Sequence, residues 1–185
     1  MNIKGYVEFI VRDKNGRVIS KRKRRSHSFV KQFTQGKRGE WRQGTAPESN
    51  VRDTTNNLRD TYGRWYIDAP ANNSLYGIVV GTGTTAVDAS DYKLATQIVH
   101  GTETGQLSHK IMEFDAFQLV GQIHSFRSKR LFVNDSGATI TIGECGIYGL
   151  YTYYFCIVRD VVSPTVNVGA TQSLEVRYTF QVTTS

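Results

Sequence analysis

Gly81-Thr-Gly83-Thr-Thr-Ala86 is the stretch that comes nearest to a ligand-binding motif. It follows an apolar run and has the Gly-x-Gly-x-x-Ala form, in which a tight turn carries backbone N–H groups up to a dinucleotide pyrophosphate; Glu103 lies near the place of a ribose-binding acid. Asp88 and Asp91 speak against that use, because they stand where a helix N-terminus would have to receive the anion. No repeating strand–helix–strand rhythm surrounds the stretch, and the Gly-Lys-Ser/Thr ending of a phosphate-binding loop is missing. A glycine-rich connection is expected here, and no cofactor.

His27, His100, His109 and His124 show no metal-ligand spacing with one another or with Cys145 and Cys156, so no metal is expected. Ser26, Ser28 and Ser108 lack the setting of an activated nucleophile. Both cysteines lie in apolar stretches and are expected as buried free thiols, which fits synthesis in a reducing cytoplasm. The sequence offers no catalytic residues, and a non-enzymatic role is expected.

The remaining chemistry is charge. Residues 1–42 carry 13 Lys/Arg against 3 Asp/Glu, whereas residues 43–185 carry 10 against 13, so the overall +7 belongs to the N-terminal segment. Its densest part is Lys21-Arg22-Lys23-Arg24-Arg25, with Phe29, Phe33 and Trp41 interleaved among later cations. Three uses fit: a solvated arm, a phosphate-neutralising and base-stacking surface, or a protein-docking arm whose apolar anchors bind while its cations steer. The docking arm is the expectation, with Lys21, Arg22, Lys23, Arg24, Arg25, Phe29, Phe33 and Trp41 as its interface residues.

The elements that must position these residues read as β. Two β-rich runs flank Asn15-Gly16, the signature of a hairpin closed by a type I′ turn, which would set Arg12 opposite Ile19 and Glu8 opposite Lys23. A short helix is expected near residues 27–35, capped by Ser26 or Ser28 and stopped by Gly36. Residues 34–74 are polar with isolated anchors (Trp41, Leu58, Tyr62, Trp65, Tyr66, Ile67). Strands follow at 75–80, 110–120, 122–133, 138–142, 147–150 and 153–160. In the last strand Leu174, Val176, Tyr178, Phe180 and Val182 alternate with Glu175, Arg177, Thr179 and Gln181. The fold class expected is all-β, an antiparallel, jelly-roll-like β-sandwich with at most one or two short helices. It divides into a hairpin and basic arm (1–42), a polar excursion (43–74) and a sandwich body (75–185). No run approaches the ~20 apolar residues of a membrane-spanning helix, and the first 20 residues read as strand–turn–strand, not as a leader.

Several short motifs occur in a fixed order: Val79-Val-Gly-Thr-Gly-Thr-Thr-Ala86, Asp91-Tyr-Lys-Leu94 with Ile98, Gly143-Glu-Cys-Gly-Ile-Tyr148, Ile157-Val-Arg-Asp160 and Ser173-Leu-Glu-Val-Arg-Tyr-Thr-Phe180. In that order, and with the N-terminal hairpin followed by Ser28-Phe-Val30, the chain resembles a diffuse group of small structural proteins of tailed-bacteriophage virions. The resemblance covers most of the chain, weakly over 34–74. It implies a β-sandwich subunit of a head, neck or tail, located in the virion after synthesis in the host cytoplasm. Its partners would be copies of itself in a symmetric assembly and other virion proteins, with no membrane. A nucleic-acid-binding module that brings the basic arm to DNA is the alternative, and a carbohydrate-binding adhesin domain is a third option by fold analogy alone.

Overall fold

The computed structural model describes residues 2–26, 29–42, 50–60 and 64–183. They form eleven strands and one helix: β1 (Asn2–Arg12), β2 (Val18–Ser26), α1 (Lys31–Arg42), β3 (Asn50–Arg52), β4 (Leu58–Asp60), β5 (Gly77–Gly81), β6 (Ser108–Phe114), β7 (Gln118–Val120), β8 (Ile123–Val133), β9 (Ile140–Leu150), β10 (Tyr154–Val168) and β11 (Ser173–Thr183). A six-stranded sheet runs β2-β1-β11-β8-β6, with β7 also paired to β8; a three-stranded sheet runs β10-β9-β5. All these pairings are antiparallel. The period-two pattern of β11 places Leu174, Val176 and Tyr178 in the core, as expected, while Phe180 at its end is only partly covered. Those residues meet Val7, Phe9 and Val11 of β1 and Phe132 of β8, opposite Ile78, Val80, Ile142, Cys145, Ile147 and Val158 of the smaller sheet. The all-β sandwich is therefore correct.

The smaller sheet is covered on its other side too. Val79, Tyr148 and Cys156 pack there against Val30, which precedes α1, and Leu94, which follows the glycine-rich stretch. The molecule thus has three layers, and the two free thiols, Cys145 and Cys156, belong to opposite faces of the middle one. The short pair β3–β4 is stitched by Asp53, whose carboxylate accepts from the Thr55 and Asn57 amides and from Arg59 Nε.

Several local expectations are corrected. At the first hairpin only Gly16 takes positive φ (81°), so the turn is not type I′. The Gly16 amide donates to the Asp13 carbonyl, and Asp13 Oδ1 accepts from the Asn15 and Arg17 amides. The extra residue makes a bulge, so Arg12 pairs with Val18 in place of Ile19. Glu8 does lie opposite Lys23, but its carboxylate reaches Lys21 and Arg177, while Lys23 sits over the Tyr6 ring.

The helix begins at Lys31, several residues later than expected, and continues through Gly36 to Arg42. Ser26 is not the cap: it closes β2 and donates to Asp160; the alternative, Ser28, lies outside the described residues. Gly36 is not a stop signal. It shares the buried stripe Gln32-Gly36-Gly39, and a Cβ at position 36 would overlap the Trp65 indole, which itself stacks on Phe155. The run 110–120 breaks into β6 and β7 around residues 115–117, and 138–150 is one strand, β9.

Candidate interaction surface

The glycine-rich stretch wraps a buried ion pair. Glu144, fully buried on β9, accepts from Arg159 Nε (2.9 Å) and from the amides of Ala95 (3.0 Å) and Thr96 (2.7 Å). Arg159, also buried, reaches Asp91 (2.7 Å) and the carbonyls of Thr85 and Ala86. Burial alone would pull the Arg159 pKa down, but the hydrogen bonds it donates to Asp91 and Glu144 outweigh it and raise it. Gly81 and Gly83 are glycines because a Cβ at either would run into the Glu144 carboxylate. Leu94 donates its amide to the Tyr148 hydroxyl at 2.5 Å. The residues that made the stretch look like a nucleotide site thus hold a loop to the smaller sheet.

A second polar cluster joins the two sheets. Asp160 on β10 accepts from Ser26 (2.8 Å) and from the Tyr178 hydroxyl (3.1 Å), which also contacts Cys145 Sγ (3.0 Å). Arg24 approaches the same carboxylate at 3.8 Å. Burial raises the thiol pKa of Cys145 and the phenol pKa of Tyr178, so both stay protonated and serve as packing and hydrogen-bond groups.

This cluster divides the basic run. Paired residues on neighbouring strands share a face. Arg22 and Arg24 lie opposite the core residues Phe9 and Val7, and Arg22 donates to the Pro164 carbonyl (2.5 Å) as Arg24 approaches Asp160. Lys21, Lys23 and Arg25 lie opposite Ile10, Glu8 and Tyr6 on the outer face, all exposed. Five cations that read as one patch are therefore two rows, the first reaching to β10 and the second turned to the other face of the sheet. The aromatic residues divide likewise. Phe29 bridges to Val158 and sits between Phe33 (4.7 Å) and Phe180 (5.9 Å), so both N-terminal phenylalanines already have partners in their own chain. Trp41, 83 % exposed, does not share that packing.

Two features went unforeseen. The first is Arg130 on β8, buried with no carboxylate partner among the described residues, whose guanidinium donates to the carbonyls of Lys110, Tyr76, Ile78, Pro70 and Asn73. Burial lowers its pKa to about 10. Its neighbour His109 is lowered to about 3, by burial first and then by the charge of Arg130 and by His100. The unfolded chain takes up this proton near pH 6.5, and the folded chain resists it down to about 3, so stability is lost as pH falls through that window. The expected loss at pH 5 is about 2 kcal/mol, and H109Q should flatten the dependence. Urea unfolding at pH 7.5 and pH 5 in both proteins measures it; equal slopes would refute the assignment. The second feature is a cluster of exposed apolar side chains around β7, described below. An arginine alternating with apolar residues (Arg130 before Leu131-Phe132) was the sequence signal for the first; exposure on both faces left none for the second.

Searches of protein-family models, curated proteins and solved structures return no match for the chain.

Proposed function

We propose that the chain is a non-enzymatic structural subunit of a tailed-bacteriophage virion, a head, neck or tail component that works by packing against copies of itself and other virion proteins. The observation that carries this reading is where its most distinctive motif residues go. Gly81, Gly83, Asp91, Leu94, Glu144, Tyr148, Arg159 and Asp160 all serve internal ties, whereas the side chains left outward are a cation row and exposed aromatics. With aliphatic side chains such as Ile111, Leu119 and Val120 also outward, such a division suits a rigid scaffold that acts through its surface. The resemblance to phage structural proteins supplies the setting.

The outward row also gives the test, because the same row favours the nucleic-acid alternative. The triple variant K21Q/K23Q/R25Q should stay within about 1 kcal/mol of the parent in stability, since exposed pairs such as Lys21–Glu8 contribute little. It should assemble into particles more slowly and with weaker salt dependence, because exposed charge steers encounter and is screened over ~10 Å. An R24Q variant should instead destabilise the fold, as Asp160 loses its cation. If DNA is the partner, the triple variant should lower the slope of log affinity against log salt by roughly 2.7, about 0.9 per lost phosphate contact. Tight DNA binding at physiological salt that disappears in the triple variant, with assembly intact, would replace this reading by the alternative.

A further inference from the structure

The edges of the two sheets are treated unequally. A free edge presents unpaired N–H and C=O groups, and folded chains blunt it with charge or cover it. Along β5, the Thr82 amide bonds the Thr96 carbonyl and the Ile98 amide bonds the Val80 carbonyl, so that edge is covered. Along β10, Phe29 bridges to Val158, and the Val30 and Thr54 amides bond Ile157 and Tyr154. Along β6, the Asn72 amide bonds His109 and the Met112 amide bonds Ala69. The edge of β2 carries Lys21, Arg22, Lys23, Arg24 and Arg25. β7, Gln118-Leu119-Val120, has none of these devices: it pairs with β8 on one side, no strand described pairs on its other side, and it holds no charge and no proline.

Its surroundings are apolar. Leu119 and Val120 are 64 % and 70 % exposed, Phe117 64 %, Phe114 48 %, Phe126 43 % and Ile123 39 %. Taking on the order of 200 Å² for a whole aromatic side chain and somewhat less for an aliphatic one, Phe114, Phe117, Leu119 and Phe126, which the register puts on one face, leave roughly 400 Å² of apolar surface in water, while Val120 and Ile123 lie on the other face of the same edge. That lies within the ~300–600 Å² range for the largest patch on a monomer, and supplies about half of the ~800 Å² that each partner gives to a standard interface. Beside Phe126 lies a groove of about 300 Å³, bounded by Asp115, Gln118, Ser125 and Arg127, deep enough to take a side chain.

The charge around this surface indicates the occupant. Asp115 pairs with Arg127 and Lys129 at 3.1 Å each, and Glu113 pairs with Lys129 at 3.3 Å, so two acids balance two bases on the other face of the same edge. A two-fold contact brings the same patch against itself, and only a balanced patch can do so without repulsion. The Lys21, Lys23 and Arg25 row would repel its own copy, and a strongly charged partner finds no net charge at β7 to meet.

We propose that β7 is a self-association edge. Two copies meet about a two-fold axis with β7 antiparallel to β7, continuing the six-stranded sheet across both molecules, while Phe117, Leu119 and Phe126 of each cover those of the other. This deepens the packing reading and rests on it only in requiring a chain that associates with itself.

Sedimentation equilibrium of the purified full chain tests it, with L119E and F117S as variants; both side chains point into solvent, so the melting temperature serves as a control for folding. The parent should sediment as a dimer, and each variant should weaken the dimer at least 100-fold with melting of the monomer preserved. The variant K21Q/K23Q/R25Q should dimerise like the parent. A second readout, hydrogen exchange, should show protection of the 118–120 amides that rises with protein concentration. A dimer indifferent to both strip variants would overturn the inference while leaving the packing reading in place. A parent that stays monomeric to ~100 μM, with no concentration-dependent protection at β7, would overturn it as well. So would a monomer that captures a different virion protein through Leu119. Absence of the chain from purified particles, by contrast, would remove the virion reading and leave a measured dimer standing.

Discussion

E144A is expected to cost about 3–5 kcal/mol of stability, enough to unfold a marginal chain at 37 °C. Glu144 is wholly buried and is the acceptor for Arg159 and for two backbone amides, Ala95 and Thr96. Removing it takes from a buried guanidinium one of its charged partners, leaving Asp91, and leaves two N–H groups without their acceptor. The loss should not be local. The loop around Gly83 closes on that carboxylate, and Leu94, which packs on Val79 and Cys156, is carried by the same loop. Urea denaturation of E144A, R159M and the double variant forms a cycle. The double variant should be more stable than the sum of the two single losses predicts, by at least 1 kcal/mol, because neither ion is then left alone. Additive losses would mean that the two residues act separately.

A comparable effect is expected at Arg130, by different physics. No carboxylate among the described residues pairs with it; all five of its donors are taken by carbonyls, four of them on the 70–78 segment. Lysine offers three donors from a single point, so R130K leaves at least two buried carbonyls unserved and should cost about 2–3 kcal/mol. R130A adds a cavity the size of one of the largest buried side chains and should cost about 3–5 kcal/mol. Hydrogen exchange should show the 70–78 amides opening well below the global unfolding free energy in R130K. A lysine variant within 0.5 kcal/mol of the parent would show that the charge alone, and not the fork of donors, holds the segment.

The parts of the fold legible in the sequence are those with a local cause. Period-two alternation fixed the face of β11, and the Asn-Gly pair located the first hairpin, though Asp13 turned it into a bulged form that the dipeptide does not encode. Gly36 misled because a glycine needed for close approach to Trp65 looks, in sequence, like one needed to end a helix. The basic run was visible as charge, but its division depended on which strand faced which: Arg22 and Arg24 reach Pro164 and Asp160 respectively, about 140 residues away. Glu144 was hidden for the same reason, since its partners come from loops and strands far along the chain. The exposed edge at β7 lacks any periodic signal, because its apolar side chains look to both faces of the hairpin.

The middle layer carries one thiol on each side, and burial holds both sulfurs protonated and out of reach. A reagent that reacts with thiolates can label Cys145 only after the two sheets part, and Cys156 only after the cover formed by Val30 and Leu94 lifts. The pair is therefore a built-in clock with two hands. Equal labelling rates describe a molecule that opens all at once, and a faster Cys156 describes one that sheds its outer layer first and keeps the sandwich closed.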